Sequence, residues 1–170
     1  YHHSAMVANL AEAAAEAVGG DGLMCRVAAY YHDVGKLVVP LMFKENQLNM
    51  GNPHDSLAPE ESAQIIRRHV PDGVKMLEKA NMPAEMIGII AQHHGNGLVG
   101  YFYHKAKENG AVEESDFRYP AKNPQTKEAG ILMLADVVEA AVRANNAATA
   151  PDLKEQIAKL VYMRYDDGSL

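Results

Sequence analysis

The sequence predicts an all-α helical bundle, on three observations. Apolar residues recur at helical spacing through most of its 170 positions. Gly and Pro residues punctuate the chain between those runs. No run alternates apolar and polar residues in the manner of a strand.

His3, Val7, Leu10 and Ala14 place the first helix, at i, i+4, i+7 and i+11 on one face, and Gly19 and Gly20 close it. Its Ala-rich stretch 11–17 favours helix by propensity. Met24, Val27, Ala28 and Tyr31 mark a second helix that stops near Gly35. Residues 36–58 read as irregular, with Pro40, Gly51 and Pro53 as breakers. Pro59 suits a first helical position, and Glu60 and Glu61 suit the positive helix end. Ser62, Ile65, Ile66 and His69 share that helix's inner face, and a separate short helix is expected over residues 73–80. Pro83 opens the next, with Met86, Ile89, Ile90 and His93 on one face and Gly95 as its stop. Residues 98–108 read as helix and 110–124 as a polar loop. A long helix is expected over residues 125–145, and a last one after Pro151. There is no internal repeat or low-complexity tract, so the chain reads as a single domain, 1–170.

Bulk properties narrow the function classes. The chain is 48% hydrophobic and 22% charged, an ordinary globular balance. Its formal net charge of -6 argues against a partner that is a nucleic-acid polymer held by general electrostatics. One cysteine, Cys25, excludes an internal disulfide framework and a cysteine-rich zinc site. No run is long and apolar enough to span a bilayer, and no signal peptide opens the chain. With His2 and His3 almost at the first residue, the sequence is expected to be an excised domain.

The histidines fall on the wrong face. His3, His32, His69, His93 and His94 take core-facing positions on four predicted helices. One such histidine is ordinarily a satisfied core residue. Five are hard to satisfy with separate hydrogen-bond partners, whereas a metal centre takes them all. Asp33 follows His32 and diverges from it by about 100° on the helix, so it can reach between two ions while His32 holds one. Asp136 is ambiguous by spacing. With Glu139 and Arg143 it follows i, i+3, i+7, which also describes a solvated stripe. His2 projects away from His3, and His104 reads as half-exposed. His54 and Asp55 also spell His-Asp, but Asn52 and Pro53 put them in a loop, where they either line a substrate entrance or stabilise the loop itself.

The pattern His3, His32-Asp33, Asp136 resembles the H…HD…D pattern of the HD phosphohydrolase superfamily. The inserted His69 and the pair His93-His94 resemble its two-metal branch. Six blocks extend the likeness over nearly the whole chain: YHHSAMVANLAEAAAEAVG, YYHDVGK, ENQ with NPHD, QHHG, YFYHKAKE and DFRYP…PQTKEAGILMLADVVEAAVR. Together they are similar to the cytoplasmic HD domain of PgpH-type, seven-transmembrane-receptor HD proteins. Ala58, where the family has a capping Ser, and Ala121-Lys122, where it has Gly-Pro, depart from the pattern.

The resemblance implies an HD-domain bundle with a dinuclear metal site. One ion falls to His3, His32, Asp33 and Asp136, the other to His69, His93 and His94, with Asp33 bridging. Five imidazoles, two carboxylates and no thiolate suit two divalent ions, iron or manganese, while ligand type alone also admits zinc, nickel or cobalt. The implied activity is hydrolysis of the second messenger cyclic di-AMP to linear pApA, with water attacking phosphorus in line with the leaving ribose 3′-oxygen. His32 and Asp33 anchor the catalytic site. Lys36 resembles the HDxGK lysine and is assigned to substrate phosphate as a point charge; a solvated lysine after a helix is its alternative. Tyr103 and Arg143 are further candidates for substrate contact. The same centre would also serve a cyclic di-GMP phosphodiesterase, another nucleotide phosphohydrolase, or a sensor that binds nucleotide without turnover. The resemblance further implies the cytoplasmic domain of a bacterial membrane protein, anchored by an upstream region; a homodimer is a separate expectation for such an output domain, with no residue pattern behind it.

Overall fold

A computed structural model describes residues 1–47, 51–144 and 150–170. Those residues form seven α-helices: α1 His2–Ala17, α2 Gly22–Tyr31, α3 Pro59–Lys79, α4 Ala84–Ala91, α5 Gly100–Asn109, α6 Lys127–Ala144 and α7 Ala150–Asp166. Short 3₁₀ turns fill much of the chain between α2 and α3. The described residues contain no sheet, only an isolated antiparallel bridge between Leu98 and Arg118. No helix among them is long and apolar enough to cross a membrane.

Local chemistry sets the helix ends. Gly19 takes φ +69, the left-handed conformation that suits glycine. That turn lets Gly20 donate to the Ala15 carbonyl (2.7 Å) and Gly19 to that of Glu16 (3.4 Å), closing α1 as a Schellman motif. Lys127 reaches back from α6 to the carbonyls of Val18 and Gly19. Asp21 caps α2 by accepting from the Met24 amide. Thr126 does the same for α6 through Ala129.

The main core joins α1, α2, α4 and α6. Val7, Ala8, Ala11 and Ala15 share one apolar cluster with Cys25, Ala28, Ala29, Ile90 and Leu132. This rotates α1 from the expected face, because Leu10 and Ala14 lie exposed. The α1–α2 contact is built from small side chains, and a narrow contact of that kind leaves a leucine at its rim. A second cluster gathers Ala63, Phe102, Ala106 and Phe117.

Three further boundaries differ from expectation. Helix α3 runs unbroken through Pro71, so residues 73–80 are not a separate helix. Pro71 removes one backbone donor. However, His69, Val70, Gly73 and Leu77 are all buried, and packing on both sides of the proline holds the helix together. His93 lies just past α4 in a turn, not on the helix. Helix α6 starts at Lys127, and Asn145, where its end was expected, lies outside the described residues.

One close approach positions the His32-Asp33 turn. Gly35 sits so near α3 that a Cβ on it would lie 1.8 Å from the His69 carbonyl oxygen and 2.5 Å from the Gly73 amide nitrogen. The obstacle is backbone on both sides, so no rotamer change relieves it. Gly35→Ala is therefore expected to destabilise the fold by about 3 kcal/mol, the upper end for an overpacked core. Urea unfolding of the two proteins checks this.

Candidate metal centre

Each member of the His/Asp set is delivered by a helix end or an inward helix face. His3 lies in the first turn of α1. His32 caps the C-terminus of α2, and Asp33 follows it. His69 lies on α3, His93 and His94 in the turn after α4, and Asp136 on α6. The seven converge. His3, His32 and Asp136 form one group whose ligand atoms lie within 4.8 Å of one another, and His69, His93 and His94 form another.

Asp33 lies between the groups. Its Oδ2 is 3.6 Å from His3 Nε2 and 3.3 Å from His32 Nε2, while its Oδ1 is 3.5 Å from His69 Nε2. Asp136 Oδ1 is 3.1 Å from His3 Nε2 and 3.6 Å from His32 Nε2, and its Oδ2 is 3.8 Å from His94 Nδ1.

The histidine protons are accounted for elsewhere. Nδ1 of His32, His69 and His93 donates to the carbonyl three residues earlier, that of Ala29, Ile66 and Ile90, at 2.6–2.7 Å. A carbonyl only accepts, so each Nδ1 carries a hydrogen, and in the neutral rings of His69 and His93 each Nε2 keeps its lone pair. His69 Nε2 and His93 Nε2 then face each other at 3.3 Å, acceptor to acceptor. His32 Nε2 is buried, has no hydrogen-bond partner, and faces two carboxylates. Buried acceptors turned on one another are unfavourable unless a cation sits among them. On this ground the residues fit divalent metal.

Electrostatics separate the two halves. Burial lowers His93 well below the ordinary imidazole range and takes His94 to about 3, so both are neutral near pH 7. Burial also lowers His69. At His32 burial pulls the same way, but Asp33 and Asp136 outweigh it and raise the group to about 9. Burial would raise both carboxylates, yet each lies below its usual range because the imidazoles, and Lys36 beside Asp33, favour the charged form.

Lys36 is not a solvated lysine. Its Nζ lies 2.7 Å from Asp33 Oδ2 and 2.7 Å from Glu45 Oε1, above the Phe43 ring. Arg143 pairs with Glu139 at 3.7 Å and is half exposed. Tyr103 packs on Phe117 in the second apolar cluster and lines none of four cavities that reach the metal groups. His104 is exposed. His54 is buried, donates from Nε2 to the Met42 carbonyl and packs on Phe102, so it braces the loop.

Two residues with evident roles were not singled out from sequence. Glu139, placed on a possible solvated stripe, is buried and accepts from His3 Nδ1 at 2.5 Å. That bond turns His3 Nε2 toward Asp136 and fixes its tautomer. Its i+3 relation to Asp136 was the available signal. Tyr119 stacks on His94 with ring centres 4.4 Å apart and lines the two larger cavities, of about 530 and 400 Å³. It is brought there by the pairing of Tyr119 with Gly97 and of Val99 with Phe117, which a single short bridge leaves invisible to periodicity.

Comparison with known proteins agrees with this architecture. The profile of the HD domain family matches residues 1–141. The cyclic-di-AMP phosphodiesterases PgpH of Bacillus subtilis (strain 168) and of Listeria monocytogenes serotype 1/2a are each 49% identical over 169 residues, 99% of this chain. The chain spans 24% of the length of those relatives. The crystal structure of the L. monocytogenes PgpH HD domain in complex with cyclic-di-AMP superposes with a TM-score of 0.95 at 48% identity, covering 99% of this chain and 79% of that one.

Two outcomes are expected. Chelation should lower the melting temperature, since free metal at 100 times its Kd adds about 2.7 kcal/mol of stability; thermal melts with and without chelator measure it. Glu139→Gln should weaken one of two ions about 10- to 100-fold and spare the other, which metal titration reads directly.

Proposed function

Because this chain belongs to the HD domain family, we propose that it is a metal-dependent phosphodiesterase that hydrolyses cyclic di-AMP to linear pApA, ending a second-messenger signal. The observation that carries this reading is the split of Asp33, with one oxygen toward the His3/His32 group and the other toward His69. That arrangement suits two ions sharing one carboxylate. His3, His32, Asp33 and Asp136 would hold one, and His69, His93, His94 and Asp33 the other. Iron or manganese suits these donors. Such ions, when bound, supply Lewis acidity that makes water nucleophilic near neutral pH and offsets charge on the phosphoryl group.

The protein's own residues orient and enclose. Glu139 and the carbonyls of Ala29, Ile66 and Ile90 hold four imidazoles in one tautomer. Lys36 stays protonated, because Asp33 and Glu45 outweigh the lowering effect of its burial. It fixes Asp33 and stands at the rim of a cavity of about 300 Å³ lined by His3 and Asp33, where a substrate phosphate would meet it. Tyr119 walls the opposite side, and its ring suits a base better than that of Tyr103, which lies in the second cluster. Arg143 acts through Glu139 in this reading. Likeness to the PgpH relatives, the complex with cyclic-di-AMP among them, supports that dinucleotide as the substrate.

The same reading makes the chain one HD domain on the cytoplasmic side of a larger bacterial membrane protein, able to pair as a homodimer. The quarter of the relatives' length that it spans supports its being one part of a larger protein.

Manganese-loaded protein should cleave cyclic di-AMP to pApA and cyclic di-GMP more slowly, and Asp33→Ala should abolish turnover. Chromatography of the products over time checks this. Equal cleavage of both dinucleotides, or none by fully loaded protein, would overturn the assignment.

A further inference from the structure

We propose, resting on the phosphodiesterase reading above, that Arg164 of α7 is a substrate-binding residue whose guanidinium takes a phosphate oxygen of the nucleotide seated beside His93, His94 and Asp136. These three side chains line one wall of the cavity of about 400 Å³, and Arg164 enters it from the C-terminal helix. Among the described residues lining that cavity, Arg164 is the only Lys or Arg. Its Nε is buried and has no hydrogen-bond partner. Its Nη1 lies 3.7 Å from Asp167 Oδ2, an ion pair too long for a hydrogen bond. A guanidinium that lines such a cavity with its Nε unpartnered is suited to a phosphate oxygen.

The placement of Arg164 is built. Asn123 donates through Nδ2 to the Gly168 carbonyl at 2.6 Å, and its Oδ1 accepts from the Asn96 amide at 3.0 Å. One side chain thus ties the end of α7 to the turn that carries His94. The Ser169 amide closes the helix on the Arg164 carbonyl at 3.0 Å.

Charge distribution explains why a cation is needed there. The chain carries a formal charge of -6, while a cyclic dinucleotide carries two phosphates. Lys36 serves the side of the centre at His3 and Asp33, and it lines a different cavity. Arg143 is paired to Glu139 and lines neither cavity. Arg164 supplies the remaining side. It also lies beyond residue 141, where the HD profile ends, so the contact is made by a helix outside the matched region.

The test compares wild type, Arg164→Gln, Arg164→Lys and Asp167→Asn, all loaded with manganese. Three quantities are read: kcat and KM for cyclic di-AMP, the Kd of pApA by calorimetry, and metal content per chain. Arg164→Gln should raise KM and the pApA Kd about tenfold or more, as expected for losing a hydrogen bond to a charged group, with kcat within about threefold and metal content unchanged. Arg164→Lys should recover part of the loss, and Asp167→Asn should match wild type. Unchanged KM and Kd in Arg164→Gln would overturn the proposal. Equal loss in Asp167→Asn would also overturn it, by showing that the pair merely holds α7. Should Arg164→Gln fail to fold, the other two variants decide. Wild type that binds cyclic di-AMP without cutting it would contradict the phosphodiesterase reading, while the Kd comparison would still judge Arg164.

Discussion

Buried acceptors turned toward one another are the constraint around which this molecule is organised. Three Nδ1 hydrogens are committed to carbonyls three residues upstream, at His32, His69 and His93. The Nε2 atoms of His69 and His93 therefore face each other, and that of His32 faces Asp33 and Asp136. A bundle core ordinarily avoids this, because each such group loses its water without gaining a partner. The helix ends are arranged to make it happen. His32 terminates α2, His93 and His94 follow α4, and Gly35 allows the His32-Asp33 turn to press on α3. A cation among the acceptors would convert the liability into an interaction joining α1, α2, α3 and α6.

The charge balance follows from the same arrangement. On the proposed reading, an acidic chain must create positive potential locally to receive an anionic dinucleotide. Metal would do so at the centre, and Lys36 does so at one rim. Two further carboxylates are not idle surface charge. Glu45 steadies Lys36, and Glu139 steadies His3. Each acts one bond away from the centre, where a shift in orientation would be felt by a prospective ligand.

Much of this was legible in the sequence, for reasons tied to period and burial. Histidines at apolar helical positions stand out because the flanking residues predict a core, and His3, His32, His69, His93 and His94 all do meet. Spacing alone left Asp136 and Glu139 between a buried and a solvated face, since i, i+3, i+7 fits both. Packing resolves both as buried. The face of α1 was misjudged because Leu10 outranks alanine in hydrophobicity, while the α1–α2 contact selects for small side chains. The break expected near Pro71 is absent because proline's local cost is offset by packing along α3. Tyr119 and Arg164 were illegible for a different reason. Their relation to His94 and Asp136 depends on long-range pairing, through the Leu98–Arg118 bridge and the Asn123–Gly168 bond, which leaves no periodic trace.

The central claim is that two ions share Asp33. Anomalous diffraction at the manganese edge from crystals of the loaded protein tests it most directly. Two peaks are expected, one among His3, His32 and Asp136, the other among His69, His93 and His94, each within bonding distance of a different Asp33 oxygen. A single peak, or two peaks of which only one touches Asp33, would contradict the account.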